Sequence, residues 1–301
     1  MRRRASGVAA LTAILIVAVA ASAAAMMLSQ QSAMLDQTLL VSARAQADQY
    51  ATAGLDWARG VLTQDARSST VDSLAEGWAQ PIVGMPIERA VVAGAIADEQ
   101  GKFNLNNLVE ARKSDADVRV FRQLLVLLDL APELADAAAD WIDPHASDAY
   151  YLALPRPYRS ARERQFATVD ELYRVRGFDA RTVEKLRPYV TALPGLGRKS
   201  VNGNTASDVV IAAMFGVDRA KVAAIVAERS AKPFDSRNAL VDRLRQEGLV
   251  TVNDLDVKSD WFSVRVTVQQ DDVQLGTEAL VRREPIQQGG ATVLVWRRPR
   301  Y

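Results

Sequence analysis

The densest group of chemically capable side chains is Asp140-Trp141-Ile142-Asp143-Pro144-His145-Ala146-Ser147-Asp148, three carboxylates in nine residues. Carboxylates on a turning loop suit Ca²⁺, which takes roughly 6–8 oxygen ligands in flexible geometry. The same residues also have ordinary uses, Asp140 as a solvated helix residue and Asp143 as a turn former before proline. Spacing alone favours the ordinary uses, and no pair of carboxylates is placed distinctively for acid–base catalysis. Cysteine is absent, which excludes a disulfide framework, a thiolate nucleophile and a thiolate zinc site. The single histidine, His145, would have to carry any Ser-His-Asp triad, and neither G-x-S-x-G nor a P-loop accompanies it.

A second pattern could act on partners rather than on bonds. Gly177-Phe178-Asp179 with Val183 recurs about 39 residues on as Gly216-Val217-Asp218 with Val222. Each copy predicts a helix, a glycine turn, a capping aspartate and a second helix. Such helix-hairpin-helix units grip DNA phosphates through turn amides, or serve as SAM-like modules for protein contacts. Acid beside each glycine repels phosphate, although Arg181, Arg219 and Lys221 offset part of that. The formal net charge of +1 also favours protein contact or plain packing over nucleic acid. Arg282, Arg283, Arg297, Arg298 and Arg300 gather at the C-terminus, which in so neutral a chain predicts a solvated edge.

The element that must position everything is the N-terminal stretch. Met1–Gly7 is short and basic, and Val8–Leu28 is apolar except for Thr12 and Ser22. About 20 such residues at a rise of 1.5 Å match a bilayer core of ~30 Å. The helical pattern continues through Met34, Leu35, Leu39, Val41, Leu55, Val61 and Leu62, with no proline before Pro81. One long helix follows, apolar in its first half and amphipathic in its second. Three readings of the start stay open on these residues. One is a secretory signal peptide cut near Ala21-Ser22-Ala23, and another is a simple anchor oriented by Arg2–Arg4. The third is a type IV pilin-like leader cut after Gly7.

Beyond that helix, Ser68–Pro86 is turn-rich, and Arg89–Asp98 predicts a strand. Glu99-Gln100-Gly101 predicts a hairpin turn with a return segment over Lys102–Leu105. From Glu110 to about Val250 the pattern is helical, with Asp117–Leu130 and Glu133–Trp141 as two helices. Thr168 predicts the cap of another with an acidic first turn. Alternation then returns over Trp261–Val268, Val273–Arg282 and Thr292–Arg297, with Asp271-Asp272 and Gln287–Gly290 as turns. A three-stranded meander is marginal alone. It is expected to rejoin the early strand and pack on the amphipathic half of the N-terminal helix, leaving the helical block as an insertion into one α+β core.

The leader ending at Gly7, Asp98-Glu99-Gln100-Gly101-Lys102-Phe103-Asn104-Leu105-Asn106-Asn107-Leu108, Asp140-Trp141-Ile142-Asp143, Asp148-Ala149-Tyr150-Tyr151, Pro157-Tyr158-Arg159, Glu171-Leu172 and Val201-Asn202-Gly203-Asn204-Thr205-Ala206 occur in that order. Together they resemble the K-type minor pseudopilin family of type II secretion, over nearly the whole chain. The resemblance implies cleavage after Gly7, N-methylation of Val8 and a pilin-like core carrying two SAM-like units. It divides the chain into a leader at 1–7, a membrane and amphipathic helix at 8–65, a first core part at 66–109, the insertion at 110–255 (units near 110–195 and 196–255) and return strands at 256–301. It implies a non-enzymatic subunit at the pseudopilus tip, in the inner membrane with a periplasmic head. The implied partners are I- and J-type minor pseudopilins, the major pseudopilin, prepilin peptidase and the assembly platform, with secreted substrates and the secretin beyond them. The competing function is an exported DNA-binding helix-hairpin-helix protein. Most pilin-like proteins have Glu where this chain has Thr12. Relatives bind calcium near residue 143, and only Asp143 and Asp148 carry over as ligands. The loop is shorter here, with His145 and Ser147 where acids are expected, and Gly203 replaces a more usual β-branched residue.

Overall fold

The computed structural model describes residues 3–112, 115–143, 165–195, 197–249, 254–285 and 290–300. Helix α1 (Arg3–Ser68) is one continuous 66-residue element, about 100 Å long at 1.5 Å per residue. From Ala9 to Ser42 its side chains are exposed, and the interior begins at Ala47. Ala47, Ala51, Leu55, Ala58 and Leu62 are buried at spacings of three and four, a single stripe along one helix face.

That stripe lies on a five-stranded antiparallel sheet. Its strands are β1 (Ile82–Ile87), β2 (Ala90–Asp98), β7 (Trp261–Gln270), β8 (Val273–Arg283) and β9 (Thr292–Arg300), side by side in that order. Phe262, Val264, Val266 and Val268 alternate toward α1, as the pleat requires, and Ala279 and Val281 join them from β8. Gly54 lets the helix settle on β7, because a Cβ there would stand 3.0 Å from Val266. Two-residue loops close β1–β2 at Glu88-Arg89 and β7–β8 at Asp271-Asp272. Glu88 and Asp271 take the left-handed backbone that such tight hairpins demand. Pro86 and Pro299 both sit on edge strands, where a missing N–H is tolerated.

Strands β2 and β7 are neighbours in register, Asp98 opposite Phe262. The chain leaves the sheet at Asp98 and re-enters at Trp261, so the whole helical block is threaded between two adjacent strands. Its described helices are α2 (Ala116–Leu127), α3 (Leu134–Ile142), α4 (Ala180–Leu186), α5 (Asp208–Phe215), α6 (Arg219–Ala231) and α7 (Arg237–Gln246). They share a core separate from that under α1, with Phe121, Leu124, Trp141, Phe166, Leu172 and Leu186 among its largest buried side chains.

Several expectations are corrected. Glu99–Gly101 is no hairpin: β3 (Phe103–Asn104) pairs in parallel with β4 (Val190–Thr191), because β2 already has β7 at its side. The turn-rich Ser68–Pro86 stretch runs into β1, whose Gly84 and Pro86 hid its strand character. Thr168 precedes a 3₁₀ helix (Val169–Arg174) and makes no side-chain cap. Both hairpin glycines adopt positive φ as expected, 86° at Gly177 and 64° at Gly216. Asp179 caps α4 by accepting from Thr182 N–H at 2.8 Å, whereas Asp218 makes no such bond to α6. The C-terminal arginines are not all solvated edge. Arg283 is buried against Asp72 and Asp65, Arg298 pairs with Glu278 and Asp170, and Arg297 pairs with Asp48.

Candidate functional site

Two places stand out: the exposed stem of α1, and the joint where the helical insert meets the sheet. On the stem, Gly7 and Val8 lie in the first turns of α1. Thr12 follows on the exposed helix surface, where its hydroxyl donates to Ala9 C=O at 2.9 Å. Ala9–Ser68 contains an apolar window of mean hydropathy 2.4 with none of it buried. This helix is long and apolar enough to cross a membrane. An apolar groove of about 310 Å³ lies on the head, between Tyr50 and Trp57 of α1 and Met85, Ile87 and Val92 of the sheet.

The joint is built from the acidic, amide-rich run that begins at Asp98. The Asp98 carboxylate is buried and accepts four hydrogen bonds: from Gln100 N–H at 2.7 Å, Thr205 Oγ1 at 2.5 Å, Ser259 Oγ at 2.6 Å and Asn202 Nδ2 at 3.0 Å. Thus the exit from β2, the entry to the second helical unit and the approach to β7 meet on one carboxylate. Burial raises its pKa to about 6, against the lowering effect of the Ser259, Thr205 and Gln100 donors. Gln100 extends the joint, donating to Ser200 C=O and accepting from Asp260 N–H. Gly101 is required by close approach, since a Cβ would lie 2.8 Å from Thr205 Oγ1 and 3.2 Å from its carbonyl carbon.

Neighbouring Glu99 faces the first unit instead. It accepts from Lys102 Nζ at 2.8 Å and Thr191 Oγ1 at 2.7 Å. Burial pushes its pKa up, but Lys102 and the hydroxyl donors outweigh that and hold it below the usual value. Asp72, just beyond α1, pairs with Arg283 at 2.5 Å and accepts from Ser259 N–H. Asp65, Asp72 and Glu76 bring carboxylate oxygens within 4.8 Å of one another. Arg283 donates to Asp65 and Asp72, and Glu76 accepts from Ser73 N–H and Trp78 Nε1.

Asparagines hold the two units in matching ways. Asn104 Oδ1 accepts from Asn106 N–H, and Asn202 Oδ1 accepts from Asn204 N–H. Asn106 then brackets Phe166, accepting from its N–H and donating to its C=O, and Asn204 brackets Phe234 identically. Each Asn-x-Asn run opens from a two-residue strand, β3 or β5 (Val201–Asn202), paired in parallel with a strand at its unit's end, β4 or β6 (Leu255–Asp256). Phe-x-Thr and Phe-x-Ser then lead into the next helical turn, each with a buried leucine six residues after the phenylalanine, Leu172 and Leu240. This repeat escaped the hairpin-based reading. Its signal was the recurrence of Phe103-Asn104-Leu105-Asn106 as Val201-Asn202-Gly203-Asn204.

Of the expected calcium ligands, Asp143 caps the C-terminal end of α3 and its N–H bonds Ala139 C=O at 3.0 Å, while Asp148 lies outside the described residues. Asp140 has a raised pKa, first from burial and then from Asp136 and Asp143, with Arg176 opposing.

Comparison with known proteins agrees with this architecture. Two models described as type II secretion system (T2SS), protein K match residues 101–195 and 201–265. Type II secretion system protein K of Pseudomonas aeruginosa is 34% identical, aligned over 96% of this chain and 90% of its own. The protein of that name from Aeromonas hydrophila is 31% identical over 93% of this chain and 94% of its own. The crystal structure of the GspK-GspI-GspJ complex from enterotoxigenic Escherichia coli contains a chain of the same fold, with TM-score 0.75, 23% identity and coverage of 88% of this chain and 99% of that one. No comparison supports an exported DNA-binding protein. A long apolar stem, a pilin-like sheet and a helical insert opening on Asp98-Glu99-Gln100-Gly101 thus coincide with end-to-end sequence similarity, and the chain belongs to the type II secretion system protein K family.

Proposed function

We propose that this minor pseudopilin of type II secretion forms or initiates the tip of the pseudopilus. The observation that carries the reading is the union of one bare apolar stem with a head enlarged by threading a helical block between adjacent strands β2 and β7. The stem supplies what every stacked subunit needs, a helix that passes from bilayer to filament bundle. The insert adds bulk that a repeating subunit could not carry without obstructing its neighbours, which suits a single position at the end of the stack. I- and J-type minor pseudopilins are the partners this reading assigns, through the stem and the apolar groove beside Trp57. The major pseudopilin, prepilin peptidase and assembly platform belong to the same pathway. Secreted substrates and the secretin are met by the head.

The leader at 1–7 is removed after Gly7, and Val8 becomes the methylated N-terminus. The protein is then an inner-membrane, single-pass subunit with a periplasmic head, structural rather than enzymatic and without a nucleic-acid ligand. The division into 8–65, 66–109, 110–255 and 256–301 follows the same reading. The exit at Asp98 and return at Trp261 support a large insert. Calcium at Asp143 and Asp148 is its remaining part, resting on the resemblance of Asp140-Trp141-Ile142-Asp143 and Asp148 to the family pattern. Calorimetric titration with CaCl₂ checks it, and Asp143→Asn is expected to abolish the binding. For the assembly itself, purified pseudopili are analysed by mass spectrometry and labelled for copy number. A methylated Val8 and one copy per fibre are expected. A mature chain starting near Ala24, or many copies along the fibre, overturns the proposal.

A further inference from the structure

The joint at Asp98 holds more buried acid than base. Asp72 and Asp98 are buried there, with half-buried Asp65, Glu76 and Asp256 and the exposed Asp260 at its rim. The facing cations are Arg283 and Arg282 of β8 and, from the start of the second unit, Lys199. Arg283 is committed to Asp65 and Asp72. Asp98 itself makes no ion pair among the described residues and rests on neutral donors. Burying a carboxylate without a counter-ion is costly, and the cost vanishes when it takes up a proton.

We propose that this joint is an acid-tightened clasp between the pilin-like sheet and the second helical unit, closing more firmly as Asp98 becomes protonated and easing as it ionises. The reading goes beyond assembly, since the clasp operates whatever the head meets.

Geometry gives the proton a place. Thr205 Oγ1 stands 2.5 Å from Asp98 Oδ2 and 3.5 Å from the carbonyl oxygen of Asn202. With Asp98 charged, the Thr205 hydroxyl donates to the carboxylate. When a solvent proton binds Oδ2, the acid donates to Thr205 Oγ1 and the threonine proton turns to Asn202 C=O. The threonine bond to Asn202 C=O is long at 3.5 Å and Oδ2 accepts less well from Asn202 and Ser259, but the buried charge is gone. Opening the clasp would instead hydrate Asp98 and return it to the ordinary carboxylate range of about 4. The closed form therefore binds the proton more tightly than the open one, and by linkage acid favours closure. The entry strand is well placed to report this, because Arg229 already fixes its far side by donating to Gly203 and Ala206 carbonyls. Only the Asp98 side is left to titrate.

Amide hydrogen exchange on the full chain in detergent, corrected for the intrinsic pH dependence of exchange, tests the clasp. Protection of the Asn202 N–H, which bonds Gln100 C=O across the joint, is expected to be about tenfold higher at pH 5 than at pH 7.5. Asp98→Asn, neutral at both pH values, is expected to abolish the difference. Thr205→Val and Ser259→Ala each remove a donor that favours the charged form, so each is expected to shift the transition to higher pH. They serve also if Asp98→Asn does not fold. Equal protection at the two pH values, a pH dependence kept by Asp98→Asn, or an unmoved transition in both donor variants overturns the proposal.

Discussion

Asn204 satisfies both backbone groups of Phe234 with one side-chain amide, at 2.9 Å in each direction, in a fully packed surround. Asparagine alone offers a donor and an acceptor at this span, so the position is chemically narrow. Asn204→Ala leaves a buried N–H and a buried C=O unpaired, and a loss of about 2–4 kcal/mol is expected in chemical denaturation. Asn204→Asp is expected to lose less at low pH, where a protonated acid reproduces the donor. Ionisable side chains divide by the sign of their shifts. Asp98, at about 6 in the folded chain, lies above its unfolded value of ~3.9. Its contribution is therefore fully present below about pH 4 and lost as the pH rises through 6. Glu99 and Glu278, held low by arginine or lysine partners despite burial, contribute in the opposite sense and fail only as the pH falls below the carboxylate range. Thermal unfolding should thus show greater stability at pH 5 than at pH 7.5, and Asp98→Asn should remove on the order of 1–3 kcal/mol of that difference.

The two Asn-x-Asn units show what an element tolerates. At Gly203 a side chain would run into Leu240 of α7, while the first unit has Leu105 at the matching place. Glycine and a large leucine on α7 therefore form a complementary pair. Gly203→Val is expected to cost about 1–3 kcal/mol by overpacking. Leu240→Ala should cost about 2–5 kcal/mol by leaving a cavity, and the double variant should fall well short of the sum in a double-mutant cycle. The sequence shows such detail unevenly. The stem and its amphipathic half were legible as far as Leu62, and the meander from alternation in Trp261–Val268, because one face of each meets a continuous partner. β1 was not, since Gly84 and Pro86 resemble a loop in any local window. The bracketing asparagines were also hidden. Asn106 reaches Phe166 and Asn204 reaches Phe234 across separations that differ twofold, so no fixed period links the copies. Asp98 was visible as part of a motif, but its partners at 202, 205 and 259 are brought together only by the threading of the insert between β2 and β7.

Across the molecule, the head is moored to the sheet while the stem is left bare. On the outer sheet face an alternating chain of charges, Arg187–Asp170–Arg298–Glu278–Arg265, ties the first helical unit to β7, β8 and β9. Leu193 packs beside it on Trp261 and Leu280. Among the described residues the insert is held by the Asp98 joint, by Thr191 on Glu99 and by this ion chain. At the other end, Thr12 closes its own hydroxyl on Ala9 C=O. A carboxylate there would need a proton or a positive partner, because an unpaired charge inside the apolar stretch is costly to desolvate. In a stacked subunit, the N-terminal amine of the next molecule could supply that partner; at the summit none follows. Thr12→Glu is accordingly expected to reduce membrane retention of the unassembled chain and its incorporation with I- and J-type siblings, measured by fractionation and co-purification. Thr12→Val, which changes polarity without adding charge, should leave both unchanged. Normal assembly and secretion by Thr12→Glu would show that this end of the stem does meet a cationic neighbour, contrary to a terminal position.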